Sequence, residues 1–292
     1  MERKYFQDHL VQVIVLICAA VSVVAVLAIF YSLLHDGYPV ISDWLLNGFR
    51  MKWIPHQGIY GPIPLVVNTF NVGIGCTIVA TIIGVPTAIY LAEFADNRLR
   101  NIIKPSLEIL TGFPSIILGI VGLTIIVTAI TTVAGPPAGG GLLAIWIVVG
   151  IMSLPTVATI SEDAIRAVPK DLKEASLGLG ATRWQTMTRV TVPVASPGIL
   201  AAILLGMGNA IGETMAAFYI SGIQDPSAIA TDPIRGVASI SVQIAQEAMS
   251  ETRAMTPYFG LGFLLFFIIG VLNLIIRRLS KEQLAVDPPR NR

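Results

Sequence analysis

Long stretches of this chain lack Asp, Glu, Lys and Arg altogether, and that absence restricts the fold more than any motif does. None of the four occurs in 9–35, 53–92, 109–161 or 254–276, and 190–224 holds only Glu213. A bilayer core about 30 Å thick is spanned by roughly 20 apolar residues in a helix, which satisfies its own backbone polar groups. The pattern predicts six membrane helices near 10–34, 63–92, 105–133, 141–161, 194–222 and 256–278. The run 109–161 is too long for one span, and the uncharged turn Gly135-Pro136-Pro137-Ala138-Gly139-Gly140-Gly141 divides it. With 54% hydrophobic and only 13% charged residues among 292, a soluble domain is excluded. The fold class expected is an all-α integral membrane protein.

The basic residues give an orientation. With the N-terminus inside, Arg3 and Lys4, the 98–104 loop, the 166–189 segment and the tail after Ile276 hold 15 of the 19 Lys and Arg. Arg50, Lys52, Arg235 and Arg253 alone fall outside. The positive-inside rule therefore expects both termini in the cytoplasm and a multi-pass protein of the cytoplasmic (inner) membrane. Arg3 and Lys4 before an apolar run of about 25 residues predict an uncleaved anchor, since signal peptides have shorter apolar cores. The chain divides into an anchor helix and outer loop (1–61), a transmembrane domain (62–279) and a cytoplasmic tail (280–292).

Segments outside the spans are modest. Residues 35–62 predict a short interfacial helix around Ser42–Phe49, with Trp44 and Trp53 at headgroup depth. Residues 223–255, with Asp225, Asp232, Glu247 and Glu251, predict a helix near 236–250. Cys18 and Cys76 sit in separate spans without metal-ligand neighbours and are expected as buried small apolar groups. His9, His35 and His56 lie at span ends or in the outer loop, so neither a metal site nor a catalytic cluster is expected.

Between two apolar runs lies a polar island, 161–192. Pro169 suits a first helical turn, and Val168, Leu172, Ala175 and Leu179 recur on one helical face. Gly180 can take the left-handed position that ends such a helix. Thr182 with Gln185 forms a capping box that starts a second helix, whose face carries Trp184, Met187 and Val190. A helix–glycine–helix elbow with an apolar stripe is expected to dock another protein.

The elbow's spacing, Glu174-Ala175-Ser176 then Gly180 then Val190-Thr191-Val192-Pro193, resembles the "EAA" loop of ABC importer permeases. Ser176 in place of the second alanine is a departure. The resemblance implies that Glu174, Ala175, Leu179, Gly180 and Trp184 couple to the ATP-hydrolysing subunit. This chain has no G-x-x-x-x-G-K-[ST] phosphate loop, so ATP would be bound by a partner and no cofactor is expected here.

Glu213 is the acid placed well inside a predicted span, where a carboxylate is costly unless it faces a cavity or a partner. Small residues at 206, 208, 210 and 212 permit close helix approach. Asn209 lies four residues earlier on the same helical face, and Glu213 is expected either to hydrogen-bond it or to pair with an Arg of a partner chain. Ser115 follows Pro114, which predicts a kink about ten residues, or roughly 15 Å, into the third span, with Ser115 lining a pore. Pro86 and Pro155 are read as packing kinks only.

Gly212-Glu213-Thr214-Met215-Ala216 and Gly112-Phe113-Pro114-Ser115-Ile116-Ile117-Leu118-Gly119 resemble segments of PstC-type permeases of phosphate ABC importers. With the elbow, the likeness covers residues 62–279. It implies type I importer architecture and a substrate pathway through Glu213, Asn209, Thr214 and Ser115. It also implies a homologous second, PstA-like permease, two ATPase copies and an extracytoplasmic phosphate-binding protein. Family members commonly carry Arg where Asn209 stands, so a permease for another oxyanion, molybdate or sulfate, is the alternative. A self-sufficient secondary transporter and a membrane-embedded enzyme are the readings from other classes. The elbow opposes the first, and the lack of a nucleophile–base pair opposes the second.

Overall fold

In a computed structural model, the structure describes residues 2–135, 140–222, 224–249 and 256–285. The turn residues 136–139, Glu251, Arg253 and the tail from 286 lie outside them, as do the side chains of 1–10, His56 and 279–285.

Helices dominate. Six of those described are long and apolar enough to cross a membrane: Val11–Asn47, Ile63–Glu93, Ser115–Ala134, Leu142–Arg166, Arg183–Gly212 and Thr256–Arg278. Helix α1 (Glu2–Asn47) runs without a break through Pro39. The separate interfacial helix expected at 42–49 is therefore its last turn. Gly37, Val40 and Trp44 continue one buried stripe past His35 and Asp36. That stripe packs on α12 (Thr256–Ala285), where Gly260 meets Gly37 and Tyr258 and Leu261 share a core with Val40 and Trp44.

A two-stranded hairpin follows, β1 (Trp53–Ile54) and β2 (Ile59–Tyr60), which the sequence pattern had not announced. Trp44 donates its indole N–H to the Tyr60 carbonyl, and Trp53 is 2% exposed. Both tryptophans are core residues of the loop end.

Helices α2 (Ile63–Glu93), α6 (Leu142–Arg166) and α9 (Val192–Gly212) form the packed centre, with α12 against α9. Pro86 and Pro155 lie inside α2 and α6. Cys76 is buried on α2, but Cys18 on α1 is exposed, contrary to expectation, because the α1 stripe facing the protein begins only further along.

The third span differs most from its expected form. It is two helices, α3 (Asn97–Gly112) and a second that starts at Ser115. Phe113 is extended (φ −71°, ψ 134°), because the ring of Pro114 disfavours helical geometry in the residue before it. The span itself is α4 (Ser115–Val121) and α5 (Thr128–Ala134), joined without a break by a wider π-helical turn over 122–127. Ser115 is thus the first residue of its span, not ten residues into it.

At the other end, α7 (Lys170–Gly178) and α8 (Arg183–Thr186) make the elbow. The second arm runs from α8 through a π turn straight into α9 as one helix, Arg183–Gly212. That span ends at Gly212, before 222. Glu213 is extended (ψ 125°), and a short helix α10 (Met215–Ile220) follows. Helix α11 (Ile240–Ala248) falls within the stretch expected near 236–250.

Candidate functional site

A cleft of about 480 Å³ opens near the middle of the packed centre, lined by Leu110, Thr111, Phe113, Val149, Met152, Ser153, Thr156, Gly208, Asn209, Gly212 and Glu213. Three elements supply it: the end of α3, the middle of α6 and the last turn of α9. Ser153 is eleven residues into α6, about 16 Å from its start at 1.5 Å per residue.

The break after Gly212 decides what the carboxylate does. An extended Glu213 leaves the α9 face, so of the two partners expected its side chain does not bond Asn209. Its Oε1 accepts instead from the backbone N–H of Ala216 at 3.1 Å, capping the start of α10. Asn209 donates through Nδ2 to Thr156 Oγ1 at 3.1 Å on α6. The Glu213 carbonyl accepts from Ser241 Oγ at 3.2 Å, tying the cleft to α11. Glu213 Oε2 and the Ser153 hydroxyl have no partner among the described residues. Ser153 is 2% exposed and lines the cleft.

Two of the four expected pathway residues are therefore together, and two stand apart. Thr214 donates to the Gly212 carbonyl at 3.1 Å and does not line the cleft. Nor does Ser115, which begins α4. Their place is taken by Thr111, Ser153 and Thr156. Polar residues in apolar helices were the available signal for these, but helix-internal Ser and Thr usually bond their own backbone.

The elbow has the expected local chemistry. Gly180 adopts φ +85°. The Gly180 N–H donates to the Leu177 carbonyl, and the Ala181 N–H to that of Ser176, the paired bonds of a Schellman helix end. Thr182 and Gln185 form both bonds of the capping box, at 2.9 and 3.2 Å. Pro169 is the residue before the helix rather than within its first turn. Ser176 faces Thr186 Oγ1 at 3.0 Å, so the serine that replaces an alanine joins the two arms of the bend.

The apolar faces are only partly as expected. Leu179 is 91% and Trp184 64% exposed, and Leu172 and Leu177 are exposed as well. Met187, by contrast, is buried within this chain. A helix presents different residues to two sides, and Trp184 and Met187, three apart, fall on either side of that boundary. Glu174 and Ala175 are exposed, and Glu174 makes no ion pair among the described residues.

Between elbow and cleft lies a charge cluster that sequence reasoning passed over. Glu162, fully buried on α6, sits 2.8 Å from Arg100, 3.0 Å from Lys104 and 2.8 Å from Arg166. Arg166 also donates to the Leu91 carbonyl on α2 at 3.0 Å, and Lys173 of α7 pairs with Glu93 of α2 at 2.6 Å. The same α3 that carries Arg100 and Lys104 ends at the cleft wall. No residue of α3 is buried, so these ion pairs are its chief tie to the centre. Glu162 is the first acid after the 109–161 run, and its four-residue spacing from Arg166 was the one sign available.

Among the described residues, no group of three or more His, Cys, Asp or Glu could hold a metal ion.

Comparison with known proteins agrees with this arrangement. The chain is 32% identical over 284 residues to "Probable ABC transporter permease protein YqgH" of Bacillus subtilis, covering 93% of this chain and 90% of that one. It is 31% identical to "Phosphate transport system permease protein PstC" of Haemophilus influenzae, covering 95% of each. The fold is similar to that of a chain of the MetNI methionine ABC transporter in an inward-facing form. That match has a TM-score of 0.61 and 19% identity, over 78% of this chain and 98% of that chain. The likeness to PstC-type permeases expected from three short motifs thus extends over most of the chain. The model of the family described as "Binding-protein-dependent transport system inner membrane component" matches residues 84–283. Six apolar helices, a polar elbow and a mid-span cleft accord with that match: this chain belongs to that family, the multi-pass inner-membrane permease subunits of ABC importers, which work with an ATPase and a substrate-binding protein.

Proposed function

We propose that this chain is the PstC-type subunit of a phosphate importer, in which the cleft beside Asn209 and Glu213 lies on the anion's path and ATP hydrolysis occurs in another chain. The observation that carries the reading is the extent of its relatives named for phosphate transport, together with an elbow whose Leu179 and Trp184 side chains have no cover among the described residues. Leu179 and Trp184 are large and exposed at a bend held by a left-handed glycine, which is what a groove on an ATPase would take up. The basic asymmetry of the sequence supports both termini and the elbow on the cytoplasmic side. A homologous PstA-like chain would complete the pore. Two ATPase copies would bind below, and an extracytoplasmic phosphate-binding protein would load it.

Proteoliposomes containing this chain, its partner permease and the ATPase, supplied with the binding protein and ATP, provide the test. Phosphate uptake that requires ATP is expected. Uptake of molybdate or sulfate in its place would assign the complex to another oxyanion. Transport by this chain without the ATPase would make it a secondary transporter.

A further inference from the structure

Among the described residues the cleft is lined by one carboxylate and no cation, which is an unusual lining for an anion's path. The structure assigns Glu213 a selectivity role: its free Oε2 accepts a hydrogen bond from the P–OH group of hydrogen phosphate, which fully deprotonated oxyanions cannot supply. This rests on the phosphate reading above and explains how phosphate could pass beside Glu213 without an arginine at 209.

An ionised carboxylate only accepts. Glu213 Oε1 is held by the Ala216 N–H, which fixes the group, and Oε2 has no donor among the described residues. Thr156 Oγ1 accepts from Asn209 and still has its own proton to give. Ser153, nearly fully buried yet lining the cleft, has a hydroxyl with no partner among the described residues. An occupant that suits this set must donate to Glu213 and accept from two hydroxyls. Hydrogen phosphate and dihydrogen phosphate do both, with P–OH as donor and the remaining oxygens as acceptors. Arsenate is protonated in the same way. Sulfate and molybdate carry no proton at neutral pH, so they would bring charge against charge and leave Oε2 unpaired in a partly dehydrated site. A site built around a hydrogen bond rejects the analogue that lacks the group, because its own polar atom is then stranded. No proton is transferred in this scheme; the hydrogen bond is made and broken as the anion passes.

The test reads occupancy of the cleft directly, because a binding protein upstream filters anions and would mask selectivity in an uptake assay. With Cys18 and Cys76 replaced by Ala, Leu110→Cys places the one thiol on the cleft wall, and its alkylation by a small maleimide is followed in the assembled permease–ATPase complex. Phosphate and arsenate are expected to slow labelling several-fold, and sulfate at matched ionic strength to slow it no more than chloride does. In the Glu213→Gln background the amide can donate, so sulfate should protect as well as phosphate. Asn209→Arg, which adds a cation and leaves Glu213 in place, should admit sulfate too and serves if the first variant does not assemble. Sulfate protecting the parent as phosphate does, or discrimination persisting in Glu213→Gln, overturns the assignment. So does normal phosphate uptake with no protection of the thiol by phosphate. A parent complex that takes up no phosphate at all in proteoliposomes would fail the phosphate reading itself, and the selectivity role with it.

Discussion

The Cα of Ala216 stands 2.9 Å from the point that a Cβ on Gly119 would occupy. Helices α4 and α10 therefore touch backbone to backbone. These are the two segments, Gly112–Gly119 and Gly212–Ala216, whose local sequences carried the resemblance to PstC-type permeases. Ala216 is also the residue whose N–H holds the Glu213 carboxylate. A bulkier residue at 119 should push α10 away and displace that carboxylate. Gly119→Ala is expected to cost about 1 kcal/mol and Gly119→Val about 3 kcal/mol, the range for overpacking a tight contact. Thermal unfolding of the purified complex measures this, and an unchanged midpoint for Gly119→Val would mean that the helices separate freely.

Glu162 should be intolerant of change. Its burial leaves Arg100, Lys104 and Arg166 dependent on one carboxylate. The three cations left behind by its removal are 27–36% exposed and regain some water, so the loss is expected at about 1–3 kcal/mol, below the range for a fully buried pair. Glu162→Ala should destabilise the protein on that scale and free α3, whose far end walls the cleft. The milder Arg100→Gln, with a partly exposed side chain, should lower coupled transport more than it lowers stability. Both ATPase rate and uptake are measured; equal and normal coupling in Arg100→Gln would show that α3 needs no anchor.

At the elbow, two substitutions should separate shape from adhesion. Gly180→Val forces a β-branched residue to φ +85°, at a cost of about 1–2 kcal/mol for left-handed geometry alone. The bend should be lost, and ATPase copurification with it, while the chain still inserts in the membrane. Ser176→Ala removes only the bond to Thr186 and should change stability by about 1 kcal/mol or less. Retained ATPase binding in Gly180→Val would place the docking surface elsewhere.

Asn68 holds the loop end. Fully buried on α2, it donates to the carbonyls of Ala228 and Ala238, each at 2.9 Å, and accepts from the Ala230 N–H at 2.8 Å. Asn68→Ala strands all three loop groups and should destabilise by about 3 kcal/mol, at roughly 1 kcal/mol per bond. Faster hydrogen exchange confined to residues 224–239 is the expected signature. Uniform exchange would argue against a local staple.

Much of the elbow was legible because its determinants are local. Gly180, and Thr182 with Gln185, act over one turn of chain, and their bonds appear in the structure as the spacing implied. The span positions were legible for the same reason, since the cost of burying a charge in lipid is felt residue by residue. The third span was misplaced by about ten residues because hydropathy is indifferent to where a helix breaks. Phe113 obeys Pro114, and amphipathic α3 contributed apolar residues to a window that the continuous helix Ser115–Ala134 fills by itself.

What the sequence by itself determined is the number and rough extent of the membrane helices, the elbow and the isolation of Glu213 among apolar residues. Tertiary structure decided the rest. Asn209 and Glu213 share a face only if the helix continues, and the break at Glu213 sends one to Thr156 and the other to Ala216. Glu162 looked like an ordinary polar residue at the end of a span, and only the folding of α3 against α6 buried it among three cations. Hydropathy and helix periodicity report what each residue requires of its surroundings, whereas partners distant in the chain are chosen by how the helices pack.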